Sequence, residues 1–156
     1  MILFEQEIKM KSESETIVIT FGTFSLFHIG HLNILQRART YGQKLIVGVS
    51  SDEFNFIKKK AYPVFTQNER MEIVKALKYV DDVFLEESME KKAEYINQHQ
   101  ANILIMGDDW KDKFDYLLET CPTLQKVIYL PRTPHISSSG IELFIRGIIH
   151  ERDISI

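Results

Sequence analysis

The sequence is short of several features that would direct it to particular classes of protein. It contains a single cysteine, Cys121, so no disulfide bond can form within the chain. No segment approaches the ~18 consecutive apolar residues of a transmembrane helix, and residues 1–15 lack the apolar core of a signal peptide. The net charge of −3 disfavours non-specific binding to nucleic acid. We therefore expect a cytoplasmic protein whose partners are neither nucleic acids nor membranes.

Short apolar runs rich in Val and Ile recur along the chain, and most of them do not alternate with polar residues. This pattern is typical of strands buried on both faces of a parallel sheet. The runs cover residues 17–21, 44–49, 83–85, 103–106 and 127–130. Helical patterns separate them, over residues 32–41, 68–79, 87–99, 112–120 and 139–149.

Alternating strands and helices predict the α/β fold class. We expect a Rossmann-like, doubly wound parallel sheet of five strands in a single domain, residues 16–156, with residues 1–15 as an N-terminal extension. Ser139 and Glu142 match a capping box at the start of the last helix.

Residues 22–31, Gly-Thr-Phe-Ser-Leu-Phe-His-Ile-Gly-His, join the first predicted strand to the first predicted helix. A glycine turn that runs into a helix N-terminus presents free backbone N–H groups and a positive dipole end, which favour an anion. His28 and His31 are three residues apart and share one face of that helix, so both can contact one phosphate. Zinc would need further ligands, and no compact cluster of them stands out in the sequence. The segment therefore favours phosphate binding.

Ligands of doubly wound sheets bind at the carboxyl ends of the strands, where the strand order reverses. If the first strand is central, the loops after the first and fourth strands build this crevice. Those loops are residues 22–31 and the Gly-Asp-Asp-Trp segment 107–110. We expect the ligand site between them.

Six motifs together resemble the bacterial glycerol-3-phosphate cytidylyltransferases, which belong to the nucleotidylyltransferase superfamily with the His-x-Gly-His motif. The resemblance extends over residues 16–149, and the motifs occupy residues 22–24, 28–31, 50–55, 79–81, 106–115 and 129–133. It implies transfer of CMP from CTP to glycerol 3-phosphate, with Mg²⁺ as cofactor, CDP-glycerol and pyrophosphate as products, and a homodimeric enzyme. It also implies a place in the synthesis of wall or capsule polymers. Alternatives within the fold are another phosphorylated alcohol as acceptor, ATP as donor, or a nucleotide-binding protein with impaired catalysis.

The resemblance also implies roles for individual residues, while the metal ligands stay unassigned. The catalytic residues would be His28, His31, Lys58 and Arg132. The nucleotide would contact these two histidines and Arg132 together with Gly22, Thr23, Phe24, Asp109, Thr133, Ser137 and Ser138. The acceptor would contact Ser25, Lys58, Lys60, Arg70 and Asp81, with the two lysines on a mobile loop that closes over the phosphates.

Four positions depart from the family's pattern. Ser25 stands where Asp is usual, Met89 where Trp is usual, and Gly140 where Lys is usual, while Pro134 and His135 replace an acidic residue and glycine. A serine cannot ligate a metal as a carboxylate does. We expect several of these positions to border the acceptor pocket.

Overall fold

A sheet of five parallel strands forms the centre of the computed structural model, which describes residues 14–147. The strands are β1 (Ile17–Gly22), β2 (Lys44–Ser50), β3 (Asp82–Glu86), β4 (Ile103–Gly107) and β5 (Lys126–Leu130). Their order across the sheet is β3-β2-β1-β4-β5, and every neighbouring pair is parallel. Each predicted strand agrees with the observed one to within one residue at either end, so the predicted sheet is confirmed.

Helices lie between and after the strands, as the alternating pattern predicts. They are α1 (Ile29–Arg39), α2 (Asp52–Lys59), α3 (Gln67–Lys75), α4 (Lys92–Gln98), α5 (Leu117–Thr120) and α6 (Ser138–Ile145), with a 3₁₀ turn at Asp108–Trp110. No helix within residues 14–147 is long and apolar enough to cross a membrane.

The two faces of the sheet carry separate apolar cores. Val18 on β1 packs with Leu35 of α1 and Val74 of α3, whereas its neighbour Ile19 packs with Ile96 of α4 on the opposite face. Successive side chains of a strand point to opposite faces, and an apolar core covers each face of this sheet. Both β1 side chains are therefore fully buried. This explains why the strand runs are apolar throughout and do not alternate.

The helix boundaries correct the sequence analysis in several places: α1 starts three residues earlier than predicted, and α3 ends four residues earlier. Helix α2 is absent from the predicted elements, and the resemblance places its Lys58 on a mobile loop. Ser51 caps this helix by accepting a hydrogen bond from the backbone N of Phe54 at 3.0 Å. Helices α4 and α5 start later than predicted, after turns. The N-cap of α6 is Ser137, whose Oγ accepts from the backbone N of Gly140 at 3.0 Å, and not Ser139.

Two predictions lie wholly or partly beyond the described range. The N-terminal extension falls outside it except for residues 14 and 15, and so does the predicted continuation of the last helix over residues 148–149. The domain boundary at residue 16 therefore stays a prediction.

Candidate active site

A cleft of about 400 Å³ opens at the carboxyl ends of β1 and β4. These two strands are neighbours in the sheet, and the chain leaves them toward opposite edges. Most of the lining comes from three segments: the turn after β1 with the start of α1, the turn after β4, and the segment between β5 and α6; Lys59 of α2 adds to it. The loops named by the sequence analysis thus meet where a doubly wound sheet binds its ligands.

His28 and His31 form the N-terminal end of α1 and both line the cleft. The N-cap is His28, whose Nδ1 accepts a hydrogen bond from the backbone N of Gly30 at 3.0 Å. His31 Nδ1 accepts from the backbone N of His28 at 3.3 Å. The two rings stack with their centroids 3.8 Å apart. Each histidine therefore satisfies a backbone N–H that the helix itself leaves unpaired.

These hydrogen bonds fix the protonation of both rings. A nitrogen that accepts an N–H carries no proton, so each neutral ring bears its hydrogen on Nε2. Burial, and then the charge of Arg132, lowers the pKa of His28 below its usual value. Burial, His28 and Arg132 together lower the pKa of His31 to about 3. Both imidazoles are therefore neutral near pH 7 and can each donate one hydrogen bond from Nε2.

The His28 ring leaves no room for a side chain at residue 30, so this position requires glycine. A Cβ at residue 30 would lie 2.8 Å from His28 Cε1 and 2.9 Å from His28 Nδ1. Real Cβ atoms do not approach other atoms so closely, so any side chain here would displace the ring from the cap. The His-x-Gly-His spacing thus has a steric cause.

The turn after β1 is held from behind by helices α2 and α3. Arg70 of α3 donates from Nη1 to the backbone O of Thr23 at 2.6 Å and from Nη2 to Asp52 Oδ1 at 2.7 Å. Its Nε donates to the backbone O of Phe65 at 3.1 Å, and the side chain is buried. Arg70 does not line the cleft, so its predicted contact with the acceptor is corrected to a structural contact with the turn.

The wall contributed by the end of β4 includes Asp109 and Trp110. A Cβ at Gly107 would lie 2.6 Å from Asp109 Oδ1, so glycine lets this carboxylate fold back over the strand end. Trp110 packs on Phe114 with 5.4 Å between ring centroids and also lines the cleft. The indole therefore packs against the core and also contacts the cleft.

The opposite wall follows β5. It includes Arg132, Thr133, Ser137 and Ser138, all predicted as nucleotide contacts. Asn33 of α1 donates from Nδ2 to Thr133 Oγ1 at 3.1 Å. The Ser138 hydroxyl donates to the backbone O of Ser25, which ties the start of α6 to the first turn. The cleft thus brings together most of the predicted site residues: Gly22, Thr23, Phe24, Ser25, His28, His31, Asp109, Arg132, Thr133, Ser137 and Ser138.

Lys58 and Lys60 do not line the cleft, whereas Lys59, which the sequence analysis passed over, does. Lys58 lies in the last turn of helix α2 and not on a loop. Its Nζ donates a hydrogen bond to Ser50 Oγ at 3.5 Å and lies 4.1 Å from the centroid of the Phe54 ring. Lys60 is the left-handed C-cap of the same helix, with φ 57°. Burial lowers the pKa of Lys58, and the Glu86 carboxylate opposes that shift.

Asp81 lies at the other end of the sheet. Its Oδ2 accepts from the backbone N of Leu45, at the start of β2, at 2.8 Å, and it pairs with Arg39 Nε at 3.4 Å. The cleft is at the carboxyl ends of the strands, so the predicted acceptor contact of Asp81 is corrected to a structural ion pair.

Of the four departures from the family's pattern, Ser25 alone lines the cleft. Met89 packs against the core on the α4 face, and Gly140 is buried in the first turn of α6. His135 has φ 63°, a left-handed conformation that favours glycine. This explains the glycine of the family pattern and corrects the expectation that several departures border the pocket.

The donor set of the cleft is poor in metal ligands. Among residues 14–147, no group of three or more His, Cys, Asp and Glu side chains could hold a metal ion. Asp109 is the one carboxylate among the described residues that line the cleft. Mg²⁺ is commonly bound through one or two carboxylates, substrate phosphates and water. The residues therefore fit a Mg²⁺ ion that is shared with phosphates, and do not fit a cage made by the protein alone.

Comparisons with known proteins agree with this geometry. The family described as cytidylyltransferase-like matches residues 19–143. The glycerol-3-phosphate cytidylyltransferase of Bacillus subtilis is 44% identical over 132 residues, which are 84% of this chain and 98% of that protein. The protein of the same name from Staphylococcus aureus is 40% identical over 131 residues, 83% of this chain and 95% of that protein.

A solved structure supports the fold. The lipopolysaccharide core biosynthesis protein from Thermoplasma volcanium superimposes with a TM-score of 0.65 at 22% identity, covering 77% of this chain and 98% of that one. With its fold, its His-x-Gly-His cap and its sequence relatives in agreement, this chain belongs to the cytidylyltransferase-like family.

Proposed function

We propose that this protein transfers CMP from CTP to glycerol 3-phosphate, forming CDP-glycerol and pyrophosphate. The observation that carries the proposal is the pair of neutral histidines at the N-terminus of α1, whose Nε2 hydrogens are free to donate into the cleft. Sequence similarity to glycerol-3-phosphate cytidylyltransferases over most of the chain supports the choice of substrates.

The reaction needs positioning and charge stabilisation, and no covalent nucleophile. A phosphate oxygen of glycerol 3-phosphate attacks the α-phosphorus of CTP, one P–O bond forms, and the bond to the leaving pyrophosphate breaks. Negative charge spreads over the α-phosphoryl oxygens in the transition state. Hydrogen bonds from His28 and His31 and the fixed charge of Arg132 stabilise that charge in a site where little reorganises.

Neutral histidines suit this task better than charged ones would. A proton on Nδ1 would break the hydrogen bonds that cap α1, because Nδ1 is their acceptor. The neutral rings keep the cap, and the positive end of the helix dipole adds to their effect on an anion. Positive charge comes from Arg132 and Lys59 at the cleft wall.

We further propose Mg²⁺ as cofactor, held by Asp109 together with the triphosphate. When bound, the ion supplies neutralisation of phosphate charge. Asp109 is available for this because its carboxylate folds over Gly107 at the cleft wall.

The homodimer and the cytoplasmic location also remain proposals. Exposed apolar side chains on and after α2 give the first one some support: Phe56, Ile57, Tyr62, Val64 and Phe65. Phe56 and Tyr62 stack with 4.7 Å between ring centroids, and exposed apolar patches commonly mark interaction sites. Sedimentation at tens of micromolar protein would test the dimer, and a monomer there would contradict it.

The deciding experiment is a pyrophosphate-release assay with CTP or ATP against a panel of phosphorylated alcohols, with Mg²⁺. We expect release with CTP and glycerol 3-phosphate, and at least tenfold less with ATP. A preference for another acceptor or for ATP would assign the protein a different substrate within the same chemistry. No release with any pair, despite measurable CTP binding, would make it a nucleotide-binding protein.

A further inference from the structure

Asn55 is a buried polar side chain of α2 that contacts the cleft wall from behind. It is 1% exposed, and its Oδ1 lies 3.1 Å from Thr23 Oγ1. Thr23 itself lines the cleft. Asn55 Nδ2 is buried as well, and within residues 14–147 it has no hydrogen-bond partner.

The unpaired Nδ2 indicates which atom of the Asn55 amide, Oδ1 or Nδ2, faces Thr23 in the active protein. With Oδ1 facing Thr23, both N–H groups of Asn55 are buried without an acceptor, which is rare in folded proteins. A half-turn of the amide fills the same volume and brings Nδ2 to Thr23 Oγ1. One N–H is then paired, and a carbonyl oxygen is left unpaired, which proteins tolerate more often.

The orientation of the Asn55 amide determines whether the Thr23 hydroxyl can donate a hydrogen bond into the cleft. A hydroxyl has one hydrogen to donate and two lone pairs to accept with. When Asn55 Oδ1 takes that hydrogen, Thr23 offers the cleft only lone pairs, which repel phosphate oxygens. When Asn55 Nδ2 donates to Thr23, the hydrogen is released toward the cleft. Arg70 holds the Thr23 backbone O at 2.6 Å, so the residue cannot turn away as a whole.

We propose that Asn55 is a positioning residue that makes the Thr23 hydroxyl a hydrogen-bond donor to a phosphate oxygen of the bound nucleotide. The inference rests on the proposed function for the identity of that nucleotide. It assigns Asn55 a task that neither Asp nor an apolar residue can perform, since the amide must donate to Thr23.

A double-mutant cycle on Thr23 and Asn55 tests this, with kcat and KM for CTP measured by pyrophosphate release. Thr23→Val removes the hydroxyl and should lower kcat/KM about tenfold or more, whereas Thr23→Ser should stay within about threefold of the native protein. Asn55→Asp keeps the shape but can only accept at neutral pH, so it should cost about tenfold as well. In the Thr23→Val background, Asn55→Asp should cost less than about threefold.

The same cycle distinguishes the effect of the charge added by Asn55→Asp from the effect of losing the hydrogen bond to Thr23. Repulsion between a carboxylate and the triphosphate does not need the Thr23 hydroxyl, so an equal loss in both Thr23 backgrounds would overturn the proposal. A native rate for Asn55→Asp would overturn it too.

Asn55→Leu provides a second arm that does not depend on a buried carboxylate. It removes the competing acceptor, so it should cost less than Asn55→Asp; a larger loss would mean that Asn55 acts through packing and would contradict the proposal. Because Asn55→Leu also removes the donor that positions the Thr23 hydroxyl, it should still lower kcat/KM at least threefold, and only where that hydroxyl is present. If Asn55→Asp does not fold, Asn55→Leu is compared in the native and Thr23→Val backgrounds, and an equal effect in both overturns the inference.

Failure of the proposed function is recognised separately. If the native protein releases no pyrophosphate from CTP and glycerol 3-phosphate, the cycle is measured on the Kd of CTP by calorimetry. Coupling between Thr23 and Asn55 in that Kd would support the inference without the reaction, and additivity would overturn it.

Discussion

The imidazole rings of His28 and His31 lie stacked, 3.8 Å between centroids, because each ring caps a different backbone N–H at the start of the same helix. Capping and ligand binding therefore use opposite nitrogens of each ring. Nδ1 serves the helix and Nε2 serves the cleft. A substitution of either histidine is therefore expected to lower stability slightly, through loss of the helix cap, and to lower turnover strongly, through loss of the transition-state contact.

Replacing either histidine by alanine should reduce turnover by on the order of 10²-fold or more, about 3 kcal/mol of transition-state stabilisation. Loss of the cap should cost only about 1 kcal/mol of stability. Steady-state rates and thermal unfolding of His28→Ala and His31→Ala check this, with His99→Ala as control because His99 packs on Phe84 away from the cleft. Near-native rates in both variants would refute the assignment.

Much of this arrangement can be predicted from the sequence. Runs of Val and Ile identify the five strands, and the loops after the first and fourth predicted strands already carry the residues that later meet in the cleft. The reason is physical: a doubly wound sheet binds its ligand where the strand order reverses, and with the first strand central the ends of the first and fourth strands meet there.

Other parts could not be predicted because they depend on tertiary contacts. Arg70 and Asp81 are ordinary charged residues in the sequence, and only their partners Asp52 and Arg39 show that they serve the structure. Which of three consecutive lysines reaches the cleft depends on where α2 ends. The helix itself had a signal, since Ser51 precedes Asp52 and Glu53 in the pattern of an N-cap followed by an acidic first turn.

The placement of these lysines gives a second prediction. Lys59→Ala should raise the KM for CTP several-fold, because the side chain of Lys59 lines the cleft. Lys60→Ala, one residue further, should leave KM within about twofold, since exposed charges that are not near the ligand are screened by solvent. Initial rates over a range of CTP concentrations distinguish the two. A larger effect at Lys60 than at Lys59 would restore the role that the family resemblance implies for Lys60.

The stability of the protein should depend on pH through His31. Its pKa is about 3 in the folded protein and near 6.5 in the unfolded chain, so between these values the unfolded chain binds more protons. Stability contributed by the neutral ring is therefore fully present above pH 6.5 and is lost as the pH falls toward 3. Urea unfolding at pH 7.5 and pH 5 measures this.

His31→Asn is the matched variant, because asparagine does not titrate and its side-chain oxygen can still accept a backbone hydrogen bond. The drop in unfolding free energy from pH 7.5 to pH 5 should be smaller in this variant than in the native protein. An equal drop in both proteins would show that other groups carry the acid sensitivity.

Ser25 should be a tuning position, because it is the one departure from the family's pattern that lines the cleft. Ser25→Asp would add a second carboxylate to a cleft where Asp109 is the one carboxylate among the described lining residues. A negative charge beside a triphosphate is favourable only if it meets Mg²⁺ or an acceptor hydroxyl. We therefore expect this variant to raise activity toward glycerol 3-phosphate or to alter the Mg²⁺ dependence, while the affinity for CTP changes less.

Steady-state rates of both proteins across Mg²⁺ and acceptor concentrations test this, with Ser139→Asp as a control for added charge at the rim of the same cleft. If Ser25→Asp abolishes activity while the native protein is fully active on glycerol 3-phosphate, the site has been rebuilt around the serine hydroxyl, and the acceptor pocket differs from the one that the family resemblance implies.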